Sequence, residues 1–237
     1  SLDPMRARIV GISFAVQPGE AAYVPLAHDY AGAPEQLPLD DVLAALQPWL
    51  EDATADKVGQ NTKYDSHVLA NHGITLRGWQ HDVMLQSYVL EVHRPHGLES
   101  LAKRHIGREG MSYEALCGKG VHQIGINQVD VEKVSQYACE DADITYQLFE
   151  LFSEKLRAEP NNAKLRHDLE IPVAQILCQM EHDGILLNKA FLGELSARFD
   201  EKIQALETVA FAQAGETFNL ASPKQLGEVL FDRLGIT

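Results

Sequence analysis

The sequence has few cysteines and no long apolar run, and each absence excludes a class of protein. Cys117, Cys139 and Cys178 form no CxxC pair, and their odd number argues against a disulfide framework or a zinc site. No stretch reaches the roughly 18 apolar residues of a membrane helix, and the N-terminus lacks the order of a signal peptide. We therefore expect reduced, buried thiols in a cytoplasmic protein that has no membrane partner.

Positive charge is also scarce. The chain has 20 Lys and Arg residues against 34 Asp and Glu residues, which gives a net charge of −14. Taken alone, this balance argues against binding a polyanion, because phosphate binding draws on clustered Lys and Arg. An acidic balance also arises where carboxylates gather to hold divalent metals.

With 237 residues, 45% of them hydrophobic, the chain suits one globular domain or one domain plus part of another.

The N-terminal part shows the strand and helix patterns of an α/β domain. "RARIVGISFAV" and "AAYVPLA" flank the turn residues "QPGE", which predicts a hairpin. "LPLDDVLAALQPWLED" has helical apolar spacing, and a short buried strand at "KVGQ" leads at once into a helix in "TKYDSHVLANHG". A strand that passes directly into a helix is typical of α/β folds.

The rest of the chain is predicted to be helical. "HDVMLQSYVLEV" and "GLESLAKRHIG" predict two helices, and a longer one runs from Val131 to Glu159 with Asp130 as its N-cap. The polar "EPNNAK" is the best linker candidate. Beyond it, "ILL" suggests a brief strand, Asn188 can cap a helix that runs to about Ala214, and Ser222 can cap another.

"SQYACEDADIT", residues 135–145, places a phenol beside a carboxylate. Tyr137 and Asp141 are four residues apart and share a helix face, while Glu140 and Asp143 point elsewhere. In an isolated Tyr-x-x-x-Asp, a solvated acid and a packed ring are the commoner arrangement. Asp65, near the start of another helix, supplies a second acid. Carboxylates that converge on a rigid scaffold suit a two-metal phosphoryl-transfer site.

Longer segments around these acids resemble a known family. "VGQNTKYD" and "YACEDADIT" resemble the second and third exonuclease motifs of the bacterial family A DNA polymerases. The similarity continues through "HDVMLQSYVL", "GLESLA" and "FNLASPKQLGEVLF", so it covers essentially the whole chain. It implies that residues 1–158 form a 3′-to-5′ proofreading exonuclease with a ribonuclease H-like (DnaQ-like) α/β fold that lacks its first-motif strand. Residues 159–237 are then the all-α beginning of a polymerase domain, leading toward its thumb.

The resemblance also implies roles for single residues. Asp65 and Asp141 match metal-binding aspartates of a two-metal site that uses Mg²⁺ or Mn²⁺, and Tyr137 matches the tyrosine that positions the attacking water. The implied partner is DNA, as a single-stranded 3′ end and, in the parent enzyme, as a primer-template; the protein is expected to be monomeric. Positions that match contacts to the terminal nucleotides are Leu2, Gln60, Asn61, Lys63 and Tyr113. Leu2 is equally well explained as a frayed terminus.

Part of the family pattern is missing. The first motif, Asp-x-Glu, would lie just ahead of "SLD", and the polymerase palm would follow Thr237. We therefore expect an internal fragment with an incomplete metal site, no polymerase chemistry and poor hydrolysis of DNA by the isolated chain. Two alternatives remain open, namely a stand-alone DnaQ-like or ribonuclease D-like nuclease acting on RNA, and a non-catalytic nucleic-acid-binding module. Asp82 is interpreted as an N-cap rather than a ligand.

Overall fold

The computed structural model describes residues 3–236, which divide into two compact units. The first unit runs to Gly184 and contains the described strands together with most of the helices. The second unit begins at Ile185 and is helical. The coarse prediction, an α/β domain followed by helices, agrees with this arrangement.

A β-hairpin opens the first unit. Strands β1 (Gly11–Gln17) and β2 (Glu20–Pro25) pair antiparallel, as predicted. Gly19 occupies the turn with φ 80°, a conformation that glycine adopts without steric penalty. Helix α1 (Leu39–Leu50) packs its apolar face against residues that flank the hairpin. The buried members of this cluster are Ile9, Leu26, Leu43, Leu50, Leu69 and Ile74.

A second, very short sheet positions two helix N-termini side by side. Strand β3 (Val58–Gly59) pairs in parallel with β4 (His81–Asp82). Helix α2 (Thr62–Ala70) follows β3, and α3 (Val83–Leu90) follows β4. Because parallel strands run in the same direction, the helices that follow them start at the same edge. The strand predicted at "KVGQ" and the helix after it are confirmed.

A long helix organises the remainder of the first unit. After α4 (Leu98–His105) and α5 (Tyr113–Cys117), the chain makes two 3₁₀ turns, Gly120–His122 and Ile126–Gln128, and enters α6 (Val131–Ala158). The side chain of Asp130 accepts from the N–H groups of residues 132 and 133, so the predicted cap is confirmed. Helix α6 packs against the hairpin, α3 and α4 around a core of Val83, Leu101, Ala102, Ile144, Leu148 and Phe152.

The segment "EPNNAK", predicted to be a linker, is helical. Helix α7 (Pro160–Leu165) begins with Pro160 in its first turn, where a missing N–H leaves no helical hydrogen bond unmade. A π-helical segment, Arg166–Glu170, leads into α8 (Ile171–Asp183), which packs against α2. The proposed change of domain between residues 158 and 159 stays a prediction.

The second unit has long helices and little core. Helix α9 (Lys189–Ala214) is capped by Asn188, and α10 (Pro223–Gly227) is capped by Ser222, as predicted; a π-helical segment, Glu228–Arg233, follows. The strand predicted at "ILL" is wrong, since residues 185–187 have no regular secondary structure and are exposed. Large apolar side chains of α9 are exposed, among them Phe191, Leu192, Phe199, Ile203, Leu206 and Val209.

Candidate functional site

Asp82 is a buried carboxylate that serves two helices at once. Its side chain is 2% exposed and accepts from the backbone N–H groups of Met84 and Leu85 in the first turn of α3. The same carboxylate accepts from the N–H groups of Asn61 (3.3 Å) and Thr62 (2.7 Å) at the start of α2. The predicted N-cap is therefore confirmed. The hydrogen bonds that the same carboxylate accepts from the start of α2 were not predicted.

The turn into α2 is a constrained piece of backbone. Asn61 has φ 59° and ψ 50°, and within residues 3–236 it is the one non-glycine residue with positive φ. This left-handed conformation is unfavourable by roughly 1 kcal/mol for most residues, although Asn tolerates it better than most. The hydrogen bond from its N–H group to Asp82 helps to hold it. The turn thereby fixes where three predicted substrate contacts, Gln60, Asn61 and Lys63, leave the backbone.

Asp65 lies in the first turn of α2 and has an acid as its electrostatic neighbour. Crowding by protein atoms raises the pKa of its carboxyl group to about 7, and the negative charge of Asp82 adds to the rise. The side chain nevertheless presents an exposed surface. No hydrogen bond or cation among residues 3–236 lowers this pKa.

Tyr137 and Asp141 are brought together on α6. Their side chains share a hydrogen bond, in which the phenol donates to the carboxylate. Partial burial raises the pKa of Asp141 to about 6; the bond from Tyr137 opposes this rise, while Glu140 and Glu99 increase it. Burial, followed by the charge of Asp141, also raises the pKa of the Tyr137 phenol, which therefore stays protonated at neutral pH.

A series of side chains connects the α6 pair with α2. The Cys117 thiol, at the end of α5, is an electrostatic neighbour of Tyr137 and hydrogen-bonds with Tyr113. Burial and that bond raise the pKa of Tyr113 to about 12, and Tyr64 contributes as a further neighbour. Tyr64 in turn is a neighbour of Asp65. Pairwise neighbours therefore link α6, α5 and α2 within the first unit.

The two polar contacts predicted beside Asn61 have protein partners. Gln60 donates from Nε2 to the carbonyl of His96 at 2.9 Å, while its Oε1 is buried without a hydrogen-bond partner. The Lys63 ammonium forms an ion pair with Glu181 on α8. Leu2, the remaining predicted contact, lies outside the described residues.

The other two acids of "SQYACEDADIT" belong to a different cluster. Asp143 accepts from the N–H of Gly19 at 2.7 Å and from the Arg108 guanidinium at 2.7 Å. Burial alone would raise the pKa of Asp143, but these bonds and one from Gln147 lower it on balance. Glu140 accepts from the N–H of residue 111 and lies near Arg108. The sequence interpretation that these acids face away from the Tyr137 pair agrees with these contacts.

Sequence reasoning missed two acids around the site. Glu99 faces the Tyr137 pair from α4, and its only signal is its position inside "GLESLA", one of the segments that resemble the family. Glu181 meets Lys63 from more than a hundred residues away, and no local pattern marks it.

Across residues 3–236, no group of three or more His, Cys, Asp or Glu side chains is arranged to hold a metal ion. In the same range, no helix combines the length and apolar character needed to cross a bilayer.

Comparison with known proteins identifies the family. A family described as 3′-5′ exonuclease, from the DNA polymerase A group, matches residues 1–157. The chain belongs to this exonuclease family. It is 47% identical over 239 residues to the DNA polymerase I of Pseudomonas aeruginosa, covering 100% of this chain and 26% of that protein. The DNA polymerase I of Rhizobium leguminosarum is 36% identical over 255 residues, covering 100% of this chain and 25% of that protein.

A solved structure supports the same relation. The polymerase domain of Pol1 from M. smegmatis, in a complex with DNA primer-template and dNTP, matches with a TM-score of 0.66 and 28% identity, covering 96% of this chain and 37% of that one. The exonuclease chain spans about a quarter of the length of the curated relatives it matches, so it corresponds to a fragment of a bacterial DNA polymerase I. The ribonuclease-like and non-catalytic alternatives are not favoured.

Proposed function

We propose that the chain carries most of a 3′-to-5′ exonuclease that removes nucleotides from the 3′ end of single-stranded DNA within a DNA polymerase I. The observation that carries the proposal is that the pKa values of both candidate acids are raised. For Asp65, crowding by protein atoms is the larger cause and the negative charge of Asp82 the smaller; for Asp141, partial burial comes first, and the charges of Glu140 and Glu99 add to it. The finer assignment, a ribonuclease H-like domain that ends near residue 158, belongs to the same proposal.

The candidate acids suit a divalent cation by their chemistry. Carboxylate oxygens are the ligands that Mg²⁺ and Mn²⁺ prefer, and a cation would offset both the burial and the neighbouring negative charges that raise these pKa values. Asp65 and Asp141 would supply two ligands, which is fewer than a complete two-metal site requires. A bound cation of this kind activates water and stabilises the leaving oxygen in phosphodiester hydrolysis.

The protein's own groups have separate tasks in the proposed reaction. The Tyr137 phenol remains protonated, so it can orient a water molecule by hydrogen bonding beside Asp141. Gln60, Asn61 and Lys63 extend from one tightly held turn, where they can contact the last phosphates and sugars of the strand. Tyr113 offers a ring on which a terminal base can stack, an interaction worth roughly 1 to 3 kcal/mol per base.

The proposal is tested in the longer polymerase that contains this segment. A 3′-labelled single strand is incubated with Mn²⁺, and release of the terminal nucleotide is followed with time. Asp65→Ala and Asp141→Ala should each lower the rate by at least about a hundredfold, since even the outer partners of metal ligands are commonly worth 10- to 100-fold.

A matched control lies on the same helix as Asp141. Glu150 is exposed on α6, so Glu150→Gln removes an acid without touching the site and should leave the rate within about twofold of wild type. Rapid cleavage by either alanine variant would contradict the proposal.

A further inference from the structure

The ammonium group of Lys63 forms an ion pair with an acid from another helix. Lys63 is the basic side chain of the turn that leads to Asp65, two residues further along α2. Its ammonium pairs with one carboxylate oxygen of Glu181, on α8. The Lys63 side chain is 30% exposed and that of Glu181 is 44% exposed, so solvent and ligands can reach the pair.

The Glu181 carboxylate is held in place from its other side. Its second oxygen lies 2.9 Å from Nε2 of His67, one helical turn after Lys63 on α2. The His67 side chain is 2% exposed and is packed where α2 meets α8. The hydrogen bond from Lys63, followed by that from His67, lowers the pKa of Glu181, so the group is a carboxylate at neutral pH. A carboxylate fixed at both oxygens stays in contact with the ammonium.

The contact has a direct consequence for an anionic ligand. A lysine ammonium acts on phosphate as a point charge, and a carboxylate in contact with it cancels much of that charge. We propose that Glu181 is an internal competitor for DNA phosphate at Lys63, a contact that a single strand must displace before it binds there. The inference rests on the proposed function, because it assumes that Lys63 meets DNA.

A purely structural role for the ion pair predicts something different. If the pair only fastened α2 to α8, then removing either partner would loosen the same contact, and both variants would weaken DNA binding. Under the competitor role the two variants act in opposite directions. Lys63→Ala removes the group that binds phosphate, whereas Glu181→Gln frees it.

The test uses the whole 237-residue chain and a 5′-fluorescein oligothymidylate, with binding followed by fluorescence anisotropy in metal-free, low-salt buffer. Glu181→Gln should tighten binding about two- to fivefold, the range expected for one exposed ion pair. Lys63→Ala should weaken binding, and the double variant should bind like Lys63→Ala alone. Glu181→Ala provides a second variant should the glutamine substitution disturb folding.

Glu109→Gln is the matched control. Glu109 pairs with Lys103 in an exposed ion pair, so this substitution changes the net charge equally but frees a lysine elsewhere. A gain equal to that of Glu181→Gln, or a gain that persists without Lys63, would overturn the inference. Unchanged or weaker binding by Glu181→Gln would overturn it as well.

A measurement without DNA separates the inference from the proposed function. Trace acetylation of Lys63, read by mass spectrometry, should become faster in Glu181→Gln, because the lysine nitrogen is no longer held against a carboxylate and is more open to the reagent. If Lys63→Ala weakens DNA binding but Glu181→Gln neither tightens it nor speeds acetylation, the inference fails and the proposed function stands. If Lys63→Ala has no effect on binding, or no variant binds, the role of Lys63 in the proposed function fails and the inference fails with it.

Discussion

Asp65 and Asp82 are neighbours in the first unit, but their carboxyl groups have different surroundings. Asp82 is 2% exposed and receives backbone hydrogen bonds from the starts of two helices. Asp65 presents an exposed surface, and neither a hydrogen bond nor a cation among the described residues lowers its pKa. A carboxylate that accepts hydrogen bonds from N–H groups stabilises the fold. A carboxylate beside another acid is destabilised by the repulsion between the two negative charges.

The same contrast recurs on α6 between Asp141 and Asp143. Asp143 accepts from Gly19 and Arg108, and its pKa is lowered. Asp141 has the Tyr137 phenol as a donor and acids as its other neighbours, and its pKa is raised to about 6. Two acids that are two residues apart on α6 therefore have pKa values shifted in opposite directions. The acids with raised pKa values are the ones that the family resemblance assigns to metal binding.

The largest expected effect on stability comes from Asp82. Asp82→Ala leaves backbone N–H groups of α2 and α3 without an acceptor, and each lost cap is worth about 0.5 to 2 kcal/mol, so the free energy of unfolding should fall by roughly 1 to 4 kcal/mol. Urea unfolding measures the change. Asp82→Asn keeps one acceptor oxygen and should lose less. A loss below about 0.5 kcal/mol for the alanine variant would show that the caps contribute little.

A smaller effect is expected from Tyr137→Phe. The substitution removes the hydroxyl that donates to Asp141, a bond of the kind that contributes about 0.5 to 1.5 kcal/mol. The pKa of Asp141 should rise further, because the bond from Tyr137 opposes the rise. Carboxyl ¹³C chemical shifts followed against pH report this change. Tyr146→Phe, on the same helix, should leave the Asp141 titration unmoved; equal titration in wild type and Tyr137→Phe would contradict the assignment.

A difference in pH dependence is expected at Asp65. Its pKa is raised on folding, so its contribution is fully present below the unfolded value near 3.8 and is lost as pH rises through about 7. In metal-free buffer, wild type should therefore lose stability relative to Asp65→Asn between roughly pH 4 and 7. Urea midpoints at the two ends of this range measure it. Asp200→Asn, an exposed acid on α9, serves as control, and parallel pH curves for wild type and Asp65→Asn would count against the raised pKa.

Local features of the fold were predictable from the sequence, because their causes are local. Asp82, Asp130, Asn188 and Ser222 each precede a helical pattern, and each side chain caps the helix that follows it. The helix that begins at Pro160 was not predicted, because Pro suits a helix start as well as a helix end. The strand prediction at residues 185–187 failed because a short run of apolar residues does not by itself show that a neighbouring strand is present to pair with it.

The surroundings of the candidate site could be predicted only in part. The Tyr137–Asp141 pair follows from helical spacing. The pairing of Lys63 with Glu181, and the approach of Asp82 to Asp65, depend on how helices pack after long intervals of sequence. Spacing along the chain carries no information about such contacts. Only the structure therefore identifies the residues that neighbour Lys63 and Asp65 and set the charge of the site.

We expect Asp65 and Asp141 to hold the same divalent cations beside Tyr137. The most direct measurement is paramagnetic broadening of ¹⁵N and ¹³C resonances as Mn²⁺ is added to the chain. The account predicts that signals from Asp65, Tyr137 and Asp141 broaden together at low Mn²⁺, and that Asp65→Asn and Asp141→Asn each abolish the broadening at both helices. Broadening confined to one helix, or equal in wild type and both variants, would contradict it.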